Sequence, residues 1–121
     1  MYQKIAEWLN NILKQEVPEE VVAFCFNLYE DGDNQWSMEL VGTDEFDEED
    51  GDWACEEVTD FGSREDNMVW SSSKEWEEVL EQITTELKQY LEKGKYANKL
   101  KSKEGVGVGF VDGDIEILYQ A

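Results

Sequence analysis

The chain has 121 residues, of which 30 are acidic and 10 are basic, so its formal net charge at pH 7 is -20. This charge argues against binding to nucleic acid or to an anionic membrane, because both need a basic surface that displaces counterions. The chain contains no histidine, which excludes Ser-His and Cys-His catalysis. Apolar residues make up 40% of the chain, which is enough for the core of one domain over residues 1-121.

The first third of the chain predicts a helix followed by a hairpin. Apolar residues recur at helical spacing within residues 2-16, and Pro18 sets the end of that helix. From Glu20 to Tyr29 apolar residues occupy both sets of alternating positions, which predicts a central strand covered on both faces. Turn residues at 31-34 and an alternating run at 36-40 complete the predicted hairpin.

The middle of the chain combines acidic and apolar stretches. Residues 43-52 are mostly acidic and predict a loop, after which residues 53-58 predict a short strand. Residues 68-70 predict a short extended piece. Ser72 and Glu75 match a capping box, and the apolar spacing that follows predicts a helix with Gly94 at its C-terminal end.

The last part of the chain predicts a second hairpin. Residues 105-111 and 115-119 form its strands, and residues 112-114 form its turn. Period-two alternation places Gly105, Gly107 and Gly109 on one strand face, over which we expect a helix or strand to pack closely. The predicted fold is therefore α+β, with a largely antiparallel sheet of about five strands, two main helices on one face, and the order α-β-β-β-α-β-β.

The acidic residues are concentrated in one region. Residues 30-66 contain sixteen acids and one base, Arg64, which gives this segment a formal charge of -15. Such a field steers a cationic partner, and interleaved aromatic side chains can anchor it. The predicted partner-binding residues are those of the acidic loop and its aromatic neighbours: Asp44, Glu45, Phe46, Asp47, Glu48, Glu49, Asp50, Asp52 and Trp53. Trp36 and Trp53 can equally be core residues.

Other kinds of site are disfavoured by spacing. Cys25 and Cys55 lack the spacing of a zinc or redox motif, and no register of the acidic residues fits an EF-hand. The glycine-rich run at 105-110 precedes a turn and a strand, so no helix N-terminus faces a bound phosphate. No cofactor and no metal are predicted. The absence of an apolar leader or membrane span favours a cytoplasmic protein.

The chain resembles the small acidic immunity proteins that bacteria encode beside polymorphic or contact-dependent toxins. The shared features are an amphipathic N-terminal helix, Trp-rich strands, the acidic loop at 44-52 and the Gly-Val-Gly-Val-Gly-Phe-Val-Asp-Gly-Asp hairpin at 105-114. The resemblance implies a tight one-to-one complex with a cognate toxin, often a nuclease with a basic active site.

The functional prediction is a non-enzymatic protein that neutralises a basic, nuclease-like toxin by direct binding. One alternative is a DNA mimic or anti-restriction factor, which would present carboxylates along an elongated face. Another is an enzyme acting through two carboxylates with raised pKa values in a closed pocket. A further alternative is an acidic domain with no charge-dependent partner, whose charge serves solubility.

Overall fold

A computed structural model describes residues 1-63, 65-111 and 113-121. Arg64 and Asp112, the first residue of the predicted second turn, lie outside the described residues. These residues include three α-helices: α1 (Tyr2–Ile12), α2 (Trp76–Lys93) and α3 (Ala97–Leu100). The same described ranges contain six strands: β1 (Ala23–Gly32), β2 (Gln35–Thr43), β3 (Glu57–Gly62), β4 (Met68–Ser71), β5 (Gly105–Phe110) and β6 (Glu116–Gln120). A 3-10 helix, Gly51–Cys55, precedes β3.

The strands form one mixed sheet. Its order is β3-β2-β1-β5-β6, and β4 pairs with β2 along the part of that strand that β3 leaves free. The pairs β1-β2, β2-β3, β2-β4 and β5-β6 are antiparallel, whereas β1 and β5 are parallel. The predicted α+β class is confirmed. Over the described residues, however, the sheet is mixed and has six strands, and the order of α-helices and strands is α-β-β-β-β-α-α-β-β, so β4 and α3 are additions to the predicted order. A parallel pair needs a long crossover connection, here β2 to α3, and no local sequence pattern reports such a pairing.

The first face of the sheet carries the larger core. The helices α1, α2 and α3 pack here on alternate residues of the three central strands, including Phe26, Leu40 and Val108. The central position predicted for β1 is confirmed, and so is the hairpin that joins β1 to β2. Its turn places Gly32, Asp33 and Asn34 at positive φ, a conformation that Gly, Asp and Asn tolerate. The predicted second hairpin is also confirmed by the pairing of β5 with β6.

The second face of the sheet is covered by residues 44-56, which we call the covering segment. A smaller core lies beneath it, formed by Ala23, Cys25, Val41 and Trp53. The glycine face of β5 belongs to this side of the sheet, because the nearest atoms to Gly107 come from Trp53 and Ile115. The three glycines are closely covered, as expected, but the nearest atoms belong to Phe46, to Trp53 of the 3-10 helix and to Asp114 and Ile115 before β6, and not to an α-helix or a strand.

Two local predictions are wrong. The strand predicted for residues 53-58 begins at Glu57, because residues 51-55 form the 3-10 helix. The capping box is absent, since α2 begins at Trp76 with Glu75 as an N-cap that makes no side-chain bond. The Ser72 hydroxyl instead accepts a hydrogen bond from the backbone N–H of Lys74 at 3.2 Å.

Candidate functional site

The two ends of the covering segment are tied together at the edge of the sheet. The backbone N–H of Asp44 donates to the carbonyl of Glu56 at 3.0 Å. The hydroxyl of the fully buried Thr43 donates to the carbonyl of Glu45 at 2.9 Å. These contacts close the segment into a compact loop of the kind in which the ends lie together.

Two carboxylates shape the interior of the covering segment. Asp47 Oδ1 accepts a hydrogen bond from the N–H of Glu49 at 2.9 Å, which forms a local Asx-type turn. Asp50 Oδ1 accepts from the N–H of Asp52 at 3.0 Å and so caps the 3-10 helix. Two of the predicted partner-binding acids are therefore also structural, and they give the loop a defined backbone.

Two aromatic side chains attach the covering segment to the sheet. Trp53 is only 2% exposed, and its ring lies edge-on to that of Phe46 with a centroid separation of 5.0 Å. A Cβ on Gly107 would lie 2.9 Å from Cζ2 of Trp53, and a Cβ on Gly105 would overlap the ring of Phe46. The glycines therefore make room for the two rings. Trp36 is also 2% exposed. Both tryptophans, which the sequence allowed to be either core or partner-binding residues, are therefore core residues.

An open groove of about 640 Å³ runs between the covering segment and the loop that joins β5 to β6. Seven of the described residues that line this acidic groove carry carboxylates, and they come from four separate parts of the chain: Glu39, Asp47, Glu48, Glu49, Asp52, Glu57 and Asp114. Its lining also includes apolar side chains, among them Ala54, Ile115 and Ile117. The groove therefore combines many carboxylates with a few apolar side chains.

The described basic residues lie away from the acidic groove. None of the groove's described lining residues is Lys or Arg. Lys99, for example, lies on α3, and its ammonium group donates to the carbonyls of Leu13 at 2.7 Å and Gln15 at 2.6 Å. A cation is favourable there because the carbonyls that follow the C-terminus of α1 lack helical partners. The groove carboxylates thus keep a field of one sign, which focuses on the concave surface.

Two titratable groups on β1, the partly buried Tyr29 and the buried Cys25, lie on the groove side of the sheet, and of these two Tyr29 lines the groove. The hydroxyl of Tyr29 donates to Glu39 Oε1 at 3.0 Å, and burial, with help from this hydrogen bond, raises the pKa of Tyr29 to about 12. Burial also raises the pKa of the Cys25 thiol to about 12, with a smaller contribution from Cys55. Both groups are therefore neutral at pH 7, and neither supplies a nucleophile.

The structure brings together only part of the predicted site. Asp47, Glu48, Glu49, Asp52 and Trp53 line the groove. Asp44, Glu45, Phe46 and Asp50 are not among the residues that line it. Glu39 and Glu57 also line the groove; they lie within the acidic region 30-66 through which binding was predicted, although they were not among the individual candidate residues. Asp114, in the β5-β6 loop, lies outside that region. Alternation placed Glu39 on the face opposite Met38, but only the sheet order shows that this face meets the covering segment.

Comparison with known proteins finds no matching family model, no similar curated protein and no similar solved structure. None of the helices in the described part of the chain combines the length and hydropathy needed to cross a membrane. Over residues 1-63, 65-111 and 113-121, no group of three or more His, Cys, Asp or Glu side chains is arranged to hold a metal ion.

Proposed function

We propose that this protein is a non-enzymatic binding protein whose acidic groove receives Lys and Arg side chains of a basic partner protein. One observation carries the proposal: seven carboxylates from separate parts of the chain converge on one groove that also has apolar side chains in its lining. Electrostatic complementarity of this kind speeds encounter and selects a partner of the opposite charge. The apolar lining residues, among them Ala54, Ile115 and Ile117, give the aliphatic stems of Lys and Arg a surface to cover.

The proposal names no catalytic group. The chain has no histidine, and Cys25, whose buried thiol stays protonated at neutral pH, is not among the groove residues. The exposed Cys55 lines the groove, but the chain offers no histidine to activate its thiol. Glu86, whose pKa is raised chiefly by burial, lies on α2 and is not among the groove residues. These features support a protein that acts by occupying a surface of its partner.

The partner we propose is a cognate toxin with a basic active site, in keeping with the resemblance to bacterial immunity proteins. A nuclease must present cations to the phosphates of its substrate, and an acidic groove of the right shape can cover those cations. The partner-contact residues in this proposal are the exposed carboxylates of the groove. Trp53 is buried, so in this proposal it does not contact the partner but holds the covering segment on the sheet.

The test uses two variants with the same change in net charge. The groove variant carries Asp47→Asn, Glu48→Gln, Glu49→Gln and Asp52→Asn. The control variant carries Glu7→Gln, Glu16→Gln, Glu81→Gln and Glu92→Gln, all exposed and none among the residues of the groove. Each variant removes four negative charges, so any difference between them reports the position of the charges.

Wild type and both variants serve as bait in a lysate of the source cell at low salt, and affinities for the captured protein are then measured at two ionic strengths. We expect wild type and the control variant to retain one basic protein whose affinity falls as salt rises. We expect the groove variant to bind it at least about tenfold more weakly, equivalent to about 1.4 kcal/mol. Equal binding by the two variants, or no captured protein, would refute the proposal.

A further inference from the structure

The two most exposed large apolar side chains of the described residues lie on the same face of the sheet. Val111 is 56% exposed and Val69 is 53% exposed. Val69 alternates along β4 with Met68 and Trp70, which belong to the core of the first face, so its side chain lies on the second face. Val111 follows Phe110, which also belongs to that core, and it lines the acidic groove. Both valines therefore lie on the face of the sheet that carries the groove.

A row of neighbouring residues joins the two valines across the sheet. Val69 pairs with Ser37 of β2, and Ser37 pairs with Tyr29 of β1. The N–H of Val111 donates to the carbonyl of Leu28 at 3.2 Å, which extends the pairing of β5 with β1 by one residue and places Val111 beside Tyr29. Neighbouring strands lie only about 4.8 Å apart. The row formed by Val69, Ser37, Tyr29 and Val111, which we call the open row, is therefore continuous.

The open row borders the acidic groove. Tyr29 and Val111 belong to the row and also line the groove. The hydroxyl of Tyr29 donates to Oε1 of Glu39, another groove residue, and so holds the ring at this border. The smaller core beneath the covering segment takes Ala23 and Cys25 from the start of β1, whereas Tyr29 lies towards the end of that strand. Carboxylates and exposed apolar side chains therefore meet on one face of the sheet.

We propose that the open row is the apolar part of the partner-binding surface. A segment of the basic partner places an aliphatic or aromatic side chain on the row, between the two valines, while its Lys and Arg side chains enter the groove. Charge favours this occupant over a second copy of the chain, because two copies would bring together two surfaces of net charge -20. Apolar side chains buried within an interface usually carry more of its energy than charges at the rim. The inference rests on the proposed function and adds the apolar residues that the partner contacts.

The probes for this inference are two labelled peptides of equal length and charge, in which Lys and Arg alternate with Leu in one and with Ser in the other. They are titrated into the protein at about 0.15 M salt, where weak surface attraction is screened. We expect wild type to bind the Leu peptide more tightly. The amide NMR signals of Ser37, Val69 and Val111 should shift with the Leu peptide more than with the Ser peptide. Equal affinity of wild type for the two peptides would overturn the inference.

Two variants test whether the exposed valines provide this preference. The row variant carries Val69→Ser and Val111→Ser, and its matched control carries Val69→Ile and Val111→Ile, which keep both positions apolar and β-branched. The row variant should bind the Leu peptide about 5- to 30-fold more weakly, because two half-exposed valines can no longer bury apolar surface against it. Its affinity for the Ser peptide, which depends on the groove, should stay unchanged. The isoleucine control should keep the preference for the Leu peptide.

The groove variant separates this inference from the proposed function, because it should weaken the binding of both peptides. If the row variant binds both peptides like wild type while the groove variant is weakened, the inference fails and the proposed function stands. If the groove variant and its four-charge control bind the peptides equally, the proposed function fails and the inference fails with it. A wild-type dimer that the row variant converts to a monomer would also overturn the inference, since a second copy would then cover the open row.

Discussion

Replacing Trp53 with alanine should release the covering segment from the sheet. Trp53 is 2% exposed, and its ring contacts Phe46 and lies over Gly107. Truncating a buried tryptophan typically costs about 3-5 kcal/mol, through lost burial and the cavity that remains. Because domains are stable by only about 5-15 kcal/mol, Trp53→Ala should remove about a fifth or more of that stability. The lost contacts all lie on the second face, so we expect the covering segment to open before the rest of the domain.

Amide hydrogen exchange followed by mass spectrometry measures this local opening directly. In Trp53→Ala we expect faster exchange in peptides from residues 44-56 than in peptides from β1, under conditions in which the domain stays folded. Trp36→Ala is the matched control, because Trp36 is equally buried but packs on the first face. It should lower global stability without singling out residues 44-56.

Trp53→Phe gives a finer comparison. The indole N–H of Trp53 is buried, and no described residue accepts a hydrogen bond from it. An unsatisfied buried donor costs about 1-3 kcal/mol, so removing it offsets part of the packing that the smaller ring loses. We therefore expect Trp53→Phe to be far milder than Trp53→Ala. Unchanged exchange in residues 44-56 of Trp53→Ala would refute the reasoning, because the ring would then not hold the segment.

Three further predictions follow from buried groups. Gly107→Ala places a Cβ 2.8 Å from Ile115 and 2.9 Å from Trp53, so it should cost about 1-3 kcal/mol in urea denaturation and raise hydrogen exchange in residues 44-56. Burial raises the pKa of the Cys25 thiol from 9.0 to about 12, so between these pH values the thiol is protonated in the folded state and ionised in the unfolded state. The contribution of this group to the free energy of unfolding is therefore complete below pH 9 and is lost as the pH rises towards 12. Wild type should therefore lose about 1.4 kcal/mol more than Cys25→Ala between pH 8 and pH 10, and equal losses would contradict this. Glu86 has a pKa raised chiefly by burial, and its buried Oε2 has no hydrogen-bond partner among the described residues. Glu86→Gln should therefore raise the melting temperature at pH 7, with a smaller gain at acidic pH where the wild-type carboxyl is protonated. An unchanged or lower melting temperature at pH 7 would contradict the Glu86 prediction.

Local patterns in the sequence were sufficient for most elements of the fold. Helical spacing located α1 and α2, and two-sided apolar character identified β1 as a central strand. Turn chemistry at residues 31-34 located the first hairpin. Each of these signals arises within about ten to twenty residues, where periodicity and turn preferences act directly.

Features that depend on distant parts of the chain were not predictable in the same way. The parallel pairing of β1 with β5 joins segments about eighty residues apart, and neither strand carries a local signal for it. The 3-10 helix at residues 51-55 forms where alternation predicted a strand, because Asp50 caps it and Trp53 is buried against the glycines of β5. Propensity is a weak guide where tertiary packing decides the conformation.

The candidate site was likewise predictable only where local sequence signals define it. Composition predicted that residues 44-53 bind a partner, but it could not distinguish residues that hold the segment on the sheet from residues whose side chains are exposed. Phe46 and Trp53 attach the segment to the sheet, whereas Asp47, Glu48 and Asp52 line the groove. The groove also needs Glu39, Glu57 and Asp114, which only the sheet topology brings to this place. Trp76 was assigned to the core by its spacing, yet α2 begins with this residue half open to solvent.

The central claim is that the acidic groove, and not the total charge, binds a basic partner. The most direct test is hydrogen exchange on the complex with the captured basic protein, compared with the free protein. The account predicts new protection in residues 47-57 and 113-117, with little change along α2 beyond its first turn. Protection confined to the helices, or spread evenly over the described surface, would contradict the claim and would favour a charge that serves solubility alone.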